Sequence, residues 1–456
     1  METKKLKLTF YGGTGTVTGA NFLLENKDKK ILVDCGLFQG EKIGDDSNRE
    51  PFPYKPSDID ILIITHAHID HIGRVPKLVK DGFRGKIYST KPTMELTEIM
   101  LIDSVRVLTR EAQRDNLEPI YREEDVKQAM TLWEGFPYHQ EVDLGDGFKM
   151  NFRDSGHILG SAMVDIIYNG KKIVFTGDLG NSPAPLLKDT EDIDDADYIV
   201  MESVYGDRNH ESKEDRKTQL EDIIEETMSN NGVLMIPAFS LERTQDLLFE
   251  INDLVEKRRI PRVPIYLDSP LAIKVTAIYK QNEDYFNREA QNIIKSGDDI
   301  FKFPGLKFTS DAEASKAING VPNPKIIIAG SGMSNGGRII HHEKRYLPDP
   351  KSTLLLVGYQ AIGTLGRILE EGAKEVTILG DVVPVKARIA KIQSYSSHKD
   401  SDNLVDFVAN DAKRVKRVFL VMGEPKSSLY LSQKLRDYLG ISAVVPLANE
   451  SMELEF

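Results

Sequence analysis

One cysteine in 456 residues leaves no partner for an intramolecular disulfide and no thiolate cluster for a metal. Any metal bound by this chain must therefore be held by histidine, aspartate or glutamate. The chain also lacks a run of about 18 apolar residues, so no segment reads as membrane-spanning. The lysines of Met1 to Phe10 have no apolar stretch behind them that would make a secretory signal. These absences predict a cytoplasmic protein with no membrane partner. A surplus of basic charge is missing too: 59 Lys and Arg stand against 71 Asp and Glu, a formal net charge of -12. That balance works against nonspecific nucleic-acid binding, although a few cations and bound metal ions can reverse the potential inside a cleft.

What is present is an ordinary globular composition in a chain long enough for two domains. The N-terminal third alternates short β-branched runs with glycine-containing turns at Leu6 to Tyr11, Asn21 to Leu24, Lys30 to Asp34 and Ile59 to Thr65, which read as buried strands. From His71 to Leu132 the period shifts toward helix, most clearly over Pro92 to Arg114. Strands return at Lys172 to Thr176 and Tyr198 to Glu202. Beyond Tyr205 a fresh βα alternation begins: helix Lys213 to Met228, strand Val233 to Pro237, helix Leu241 to Lys257, then strands Pro264 to Asp268, Lys325 to Ala329 and Thr353 to Val357. It predicts a second α/β sheet with its own core. The stretch Tyr279 to Pro322 reads as polar and irregular, and Arg417 to Gly423 could complete either sheet.

The chemistry is densest at Thr65-His66-Ala67-His68-Ile69-Asp70-His71, directly after an apolar strand. Three imidazoles and a carboxylate crowd one turn, and a loop at a strand's end can offer them to two ions at once. A merely solvated turn would rarely gather three of the nine histidines within six residues. His157 follows in Asp154-Ser155-Gly156-His157, and Asp178 closes another strand in Phe175-Thr176-Gly177-Asp178. Alone, His157 would be a structural histidine and Asp178 a turn former. After the first cluster they complete a binuclear set, with Asp178 suited to bridge. Asp34, at the end of a strand, is a candidate to accept from a ligating histidine and fix its tautomer, with a plain turn aspartate as the alternative.

At these residues the sequence resembles the metallo-β-lactamase superfamily, whose signature is His-x-His-x-Asp-His followed by one His and one bridging Asp. The resemblance implies that His66, His68 and His157 hold a first zinc, Asp70 and His71 a second, and Asp178 bridges them. A longer set of matches narrows the family. Met201 to Asp207, Pro237 to Ser240 with Arg243-Thr244-Gln245, Asp268 to Ala272, Ser331-Gly332-Met333 with Gly336-Gly337-Arg338, and Val357 to Gln360 with Gly363 to Arg367 all resemble the β-CASP nucleases. That resemblance implies an α/β fold, a metallo-β-lactamase αββα sandwich with an inserted α/β β-CASP domain. Its domains would run 1–205, 206–390 and 391–456, the last completing the first domain with an RNA-specificity motif.

The implied activity is a zinc-dependent ribonuclease that hydrolyses phosphodiester bonds of single-stranded RNA, as endonuclease, 5′-to-3′ exonuclease or both. A metal-activated hydroxide would attack, His398 in Ser394-Tyr395-Ser396-Ser397-His398 would act as general acid, and Glu202 would keep its imidazolium charged. Asp70 counts with them in the catalytic set. Ser331, Gly336, Gly337, Arg338, Ser396, Ser397, Arg243 and Arg367 are the candidate phosphate and RNA contacts, with glycine N–H groups and guanidinium forks suited to phosphate. His139, His210, His341 and His342 match no ligand position and read as surface or packing residues. The family resemblance admits a homodimer.

One position departs from the pattern. The family's last signature histidine falls in Val-His-Gly-Glu, where this chain has Val421-Met422-Gly423-Glu424. A thioether is a poor zinc ligand beside imidazole and carboxylate. The second zinc site is therefore weak, filled by another metal, or one ligand short, and either a natural variant or an engineered change would give this sequence. Two rival functions follow. A catalytically weakened RNA-binding or scaffold paralogue would fit Met422 but not the remaining intact ligands. A small ester or thioester hydrolase would share the metals but lack the β-CASP stretches.

Overall fold

The computed structural model describes residues 5–39, 47–210, 215–361 and 363–456. They form two compact units, one of Met1–Asn209 with Ser397–Phe456, the other of His210–Ser396.

The first unit holds two seven-stranded sheets. One runs, in spatial order, Ser451–Glu455, Lys5–Gly12, Asn21–Glu25, Lys30–Val33, Ile61–Ile63, Lys86–Thr90 and Trp133–Phe136; the other runs Ala443–Val444, Arg417–Val421, Tyr198–Glu202, Lys171–Phe175, Ala162–Tyr168, Phe148–Asp154 and Val142–Gly145. Their strands are apolar at successive positions because both faces are covered. In Ile31-Leu32-Val33 the outer two side chains enter a core shared with the second sheet, through Phe152, Val164 and Phe175. Leu32 points the other way, into a core with Val75, Leu78, Leu101 and Val126 from the covering helices. The second sheet repeats the division: Tyr198 and Val200 face the shared core, while Ile199 and Met201 pack against Leu404, Leu431 and Leu435 of the helices Ser401–Ala409 and Pro425–Leu439. Helix, sheet, sheet and helix make a four-layer sandwich.

The second unit is built on a six-stranded sheet in the order Leu306–Phe308, Ile265–Leu267, Lys325–Ala329, Val233–Pro237, Thr353–Val357 and Arg388–Ile392, with every neighbouring pair parallel. A two-stranded antiparallel ribbon, Glu375–Ile378 with Asp381–Pro384, accompanies it.

Several sequence expectations need correction. The stretch Tyr279 to Pro322 is not irregular: it carries the helices Arg288–Lys295 and Ala312–Ala317, and the strand Leu306–Phe308 extends the parallel sheet. Three residues are too few to show a period. Arg417–Val421 joins the first unit's second sheet, between Tyr198–Glu202 and Ala443–Val444. The strand Lys86–Thr90 interrupts a stretch expected to be helical. The helix expected from Lys213 is Arg216–Ser229, and residues 211–214 lie outside the described residues.

Candidate metal centre

Parallel pairing brings the donor loops together. Lys30–Val33 and Ile61–Ile63 lie side by side with Val33 opposite Ile63, so Asp34 and Thr65 leave the same end of the sheet. Asp34 sits at φ 59°, which turns its carboxylate back over the loop. Its Oδ1 accepts from the Thr65 backbone N–H at 2.9 Å and its Oδ2 from the Thr65 hydroxyl at 2.9 Å. The same Oδ2 lies 2.7 Å from His71 Nδ1, which leaves Nε2 facing the centre. From the other sheet Asp178 arrives through Gly177 at φ 53°, where a β-carbon would come within 2.7 Å of Thr65.

His66 Nε2, His68 Nδ1, His157 Nε2 and an Asp178 oxygen converge, and all four ligand atoms lie within 4.8 Å of one another. His68 Nδ1 is 3.1 Å from both His66 Nε2 and His157 Nε2. Asp178 Oδ2 is 3.4 Å from His66 Nε2 and 3.5 Å from His157 Nε2. A tetrahedron with metal–ligand bonds of about 2.0–2.1 Å has edges of about 3.3 Å, so these spacings fit an ion of zinc's size. Beside them, His71 Nε2 faces Asp178 Oδ1 at 3.4 Å, and both atoms are buried without a hydrogen-bond partner. Asp70 Oδ2 stands 3.9 Å from the same nitrogen. Two orphaned atoms in contact, with a carboxylate alongside, are the donor chemistry of a second cation site.

Protonation follows the same division. Burial, then the neighbouring imidazoles, holds His68 and His157 well below the usual histidine range, so both are neutral donors. Burial lowers His71 as well, but Asp178 and Asp34 outweigh it and hold the imidazole well above that range. Burial raises the Asp70 carboxyl. For Asp178 burial acts upward, and His71 and His66 override it to hold the carboxyl well below its normal value.

The His157 tautomer is fixed by a group that sequence reading missed: Nδ1 lies 3.2 Å from the Ser397 carbonyl, which also accepts from Asn181 N–H. A backbone carbonyl leaves no signature in sequence. Thr65 is a second omission, its hydroxyl 3.0 Å from His66 Nδ1. Its place at the head of the motif was the available signal.

His398 Nδ1 lies 3.1 Å from Glu202 Oε2 and 4.0 Å from Asp178 Oδ2. Glu202 is fully buried at the end of its strand and also accepts from Leu179 N–H at 2.6 Å. Burial raises its carboxyl against the pull of His398. Burial alone would lower His398, but Glu202 pushes it up to about 9. Asp178, Glu202 and His398 also lie close enough together to share a cation.

Met422 does not face solvent. At φ 48° and 2% exposed, it packs in the core between the sheets, its N–H donating to Gly13 O at 2.6 Å and its sulfur 2.7 Å from where a Gly13 β-carbon would stand.

The remaining candidates lie in the second unit, apart from Ser397. Arg338 Nη1 reaches Asp268 Oδ1 at 2.7 Å and Thr309 O at 2.8 Å. Asp268 is a hub missed in the sequence, since Thr309, Ser315 and His342 also hydrogen-bond it. Burial opposes its charge, but these four partners hold it far below the carboxylate range. His342 is thus a buried partner of that carboxylate. Ser331 N–H donates to Gly336 O, and Gly337 sits at φ 70° where a β-carbon would also collide with Gly330 O, so only glycine fits there. Arg243 is buried, Arg367 pairs with Glu371 at 2.8 Å, and Ser396 N–H donates to Gln393 O.

A four-layer αββα sandwich with this donor set at one end of its sheets defines a metallohydrolase. Residues 23–197 match the metallo-beta-lactamase superfamily domain, 244–369 the Beta-Casp domain, and 382–446 the Zn-dependent metallo-hydrolase RNA specificity domain. Ribonuclease TTHA0252 of Thermus thermophilus is 37% identical over 430 residues, 94% of this chain and 96% of that protein. The RNase J-like protein of Methanocaldococcus jannaschii is 35% identical over 446 residues, 96% of this chain and 98% of that one. The transcription termination factor FttA of Methanosarcina mazei is 31% identical over 455 residues, covering 96% of this chain and 70% of its own. A solved structure of a protein of unknown function from Enterococcus faecalis shares the fold, with a TM-score of 0.56 at 13% identity, over 99% of this chain and 100% of that one. This chain is a metal-dependent hydrolase and belongs to the β-CASP ribonuclease family of the metallo-β-lactamase superfamily. Among the described residues no helix is long and apolar enough to cross a membrane.

Proposed function

We propose that this protein is a zinc-dependent ribonuclease acting on single-stranded RNA. The observation that carries the reading is the convergence of His66, His68, His157 and Asp178 beside the His398–Glu202 pair. His66, His68, His157 and Asp178 would hold one zinc, and Asp70, His71 and Asp178 a second, weaker one, because Met422 stands where the family has histidine. Zinc, when bound, activates water at neutral pH and offsets the charge that builds on a phosphoryl group. Asp34 holds His71 with Nε2 inward, and Ser397 does the same for His157. His398, kept charged by Glu202, gives its proton to the leaving oxygen. Ser331, Gly336, Gly337, Arg338, Ser396, Ser397, Arg243 and Arg367 are proposed to steer the RNA backbone, Arg338 from its anchor on Asp268.

Incubation of zinc-loaded protein with end-labelled single-stranded RNA tests the reading. Cleavage that stops on chelation and returns with zinc supports it, and the product ladder separates endonuclease from exonuclease action. Intact RNA at every zinc concentration overturns it.

A further inference from the structure

In the second unit's parallel sheet the connections leave two neighbouring strands in opposite directions. From Val233–Pro237 the chain passes through the helix Arg243–Glu256 to Ile265–Leu267 on one side; from Thr353–Val357 it passes through the helix Leu365–Glu370 to Arg388–Ile392 on the other. The two strands are neighbours, paired at Leu234 with Thr353. Open α/β sheets bind ligands at such a reversal, outside the carboxyl ends of the strands.

Two aromatic residues stand there, each two positions past its strand. Phe239 is 44% exposed and Tyr359 46% exposed, and neither contributes to the unit's core. Their loops are braced. Thr244 donates to Phe239 O through its backbone N–H at 3.3 Å and its hydroxyl at 2.6 Å. The Phe239 ring lies against Gly332, where a β-carbon would approach it to 2.7 Å. Gln360 Nε2 donates to Gly332 O, Gly366 N–H to Met333 O, and Leu365 N–H to Asn335 Oδ1. Three loops are thus tied into one rim that seats the Phe239 ring against Gly332 and braces the backbone beside Tyr359, at low entropic cost to a ligand.

Behind the rim lies a cation. Arg243 is 6% exposed, its Nη2 lies 3.6 Å from Glu242 Oε2 and 3.9 Å from where a Gly358 β-carbon would stand, and its guanidinium carbon is 5.7 Å from the centre of the Tyr395 ring. The residues next to the two rings in sequence are Ala238 and Ser240, Gly358 and Gln360, so the surface is not the continuous apolar patch of a protein interface. Exposed aromatic faces at the ends of neighbouring strands suit single-stranded nucleic acid, whose bases stack without regard to sequence.

We propose that Phe239 and Tyr359 form a stacking platform for two bases of a single-stranded RNA. This deepens the ribonuclease reading and rests on it for the identity of the ligand. The test compares binding of a short, cleavage-resistant phosphorothioate RNA with an abasic strand of the same length and linkage, by fluorescence anisotropy on zinc-loaded protein at fixed salt. The wild type should bind the base-bearing strand at least about thirtyfold more tightly, the product of roughly fivefold or more from each of two stacked bases. The double variant Phe239→Ala with Tyr359→Ala should bind both strands equally, at the abasic level. Phe239→Trp with Tyr359→Phe should restore the preference, and thermal melting checks folding of each variant. Equal loss for both strands in the alanine variant, or a wild type indifferent to base removal, overturns the platform. A wild type that cleaves RNA yet ignores the bases sinks the platform alone. One that prefers bases yet never cleaves sinks the ribonuclease reading alone.

Discussion

At the scale of the residue, His398 and Glu202 carry a testable division of labour. Replacing His398 by Ala is expected to lower turnover by roughly 10²–10⁴, the range for a lost general acid, with zinc content unchanged. Loss of zinc, measured by elemental analysis, would reassign His398 as a ligand. Its pKa, pushed up to about 9 chiefly against burial by Glu202, also fixes the sign of a pH effect. The acid must be protonated, so kcat should fall as pH rises toward and through that value. Glu202→Gln removes the support, and the falling limb should move to lower pH. An unmoved limb would show that another group sets it.

Met422 is the second residue of consequence. Its backbone at φ 48° lies where histidine is tolerated better than methionine. Met422→His should raise zinc retention at the weaker site and activity at low free zinc, because imidazole is the stronger donor. The side chain is also a core residue, so the same change should cost roughly 1–3 kcal/mol of stability, the penalty for placing a polar group among apolar ones. Dialysis followed by metal analysis, with a denaturant melt, reads both; zinc retention equal to wild type would mean that the protein works without that ligand.

At the scale of the element, the site is made by strand ends. What the sequence disclosed was the donor types and their order, because His66 to His71 and Asp178 follow apolar runs that can only be buried strands. It also disclosed five-residue strands such as Val233–Pro237 and Thr353–Val357, whose nearly unbroken apolar content bounded by turn residues marks a buried strand. Hidden were contacts through the backbone, such as Ser397 O on His157, and contacts between elements far apart in sequence, such as His342 on Asp268. Short edges such as Leu306–Phe308 were also hidden, since their pairing and not their period makes them strands. Asp34 shows what the element contributes. Its two oxygens tie the ends of neighbouring strands and orient His71, so Asp34→Asn should weaken zinc binding by roughly 10–100-fold, as for other partners of ligating histidines. Competition with a chromogenic chelator measures it, and affinity equal to wild type would reduce Asp34 to a turn residue.

At the scale of the whole molecule, the buried titratable groups couple metal, proton and fold. In metal-free protein, folding raises the pKa of His71 and His398 above 6.5. The folded state then binds more protons than the unfolded chain, so the stability they contribute is full below pH 6.5 and is lost as pH climbs through the raised values. Asp154 and Glu343, both lifted to about 7 by burial, act in the same direction at lower pH, from their ordinary values of 3.8 and 4.5 up to about 7. His68 and His157, held low, act only below 6.5. Metal-free protein should therefore lose melting temperature between about pH 6.5 and 9. With His71 as the proposed ligand, zinc should reverse the slope for the centre, because the imidazole proton must leave before Nε2 can ligate and binding would strengthen as it leaves. Zinc at about 100 times its dissociation constant adds roughly 2.7 kcal/mol. Melting curves across that pH range, with chelator and with zinc, should diverge as pH rises. Parallel curves would mean that no proton leaves on binding, and that His71 is not a ligand.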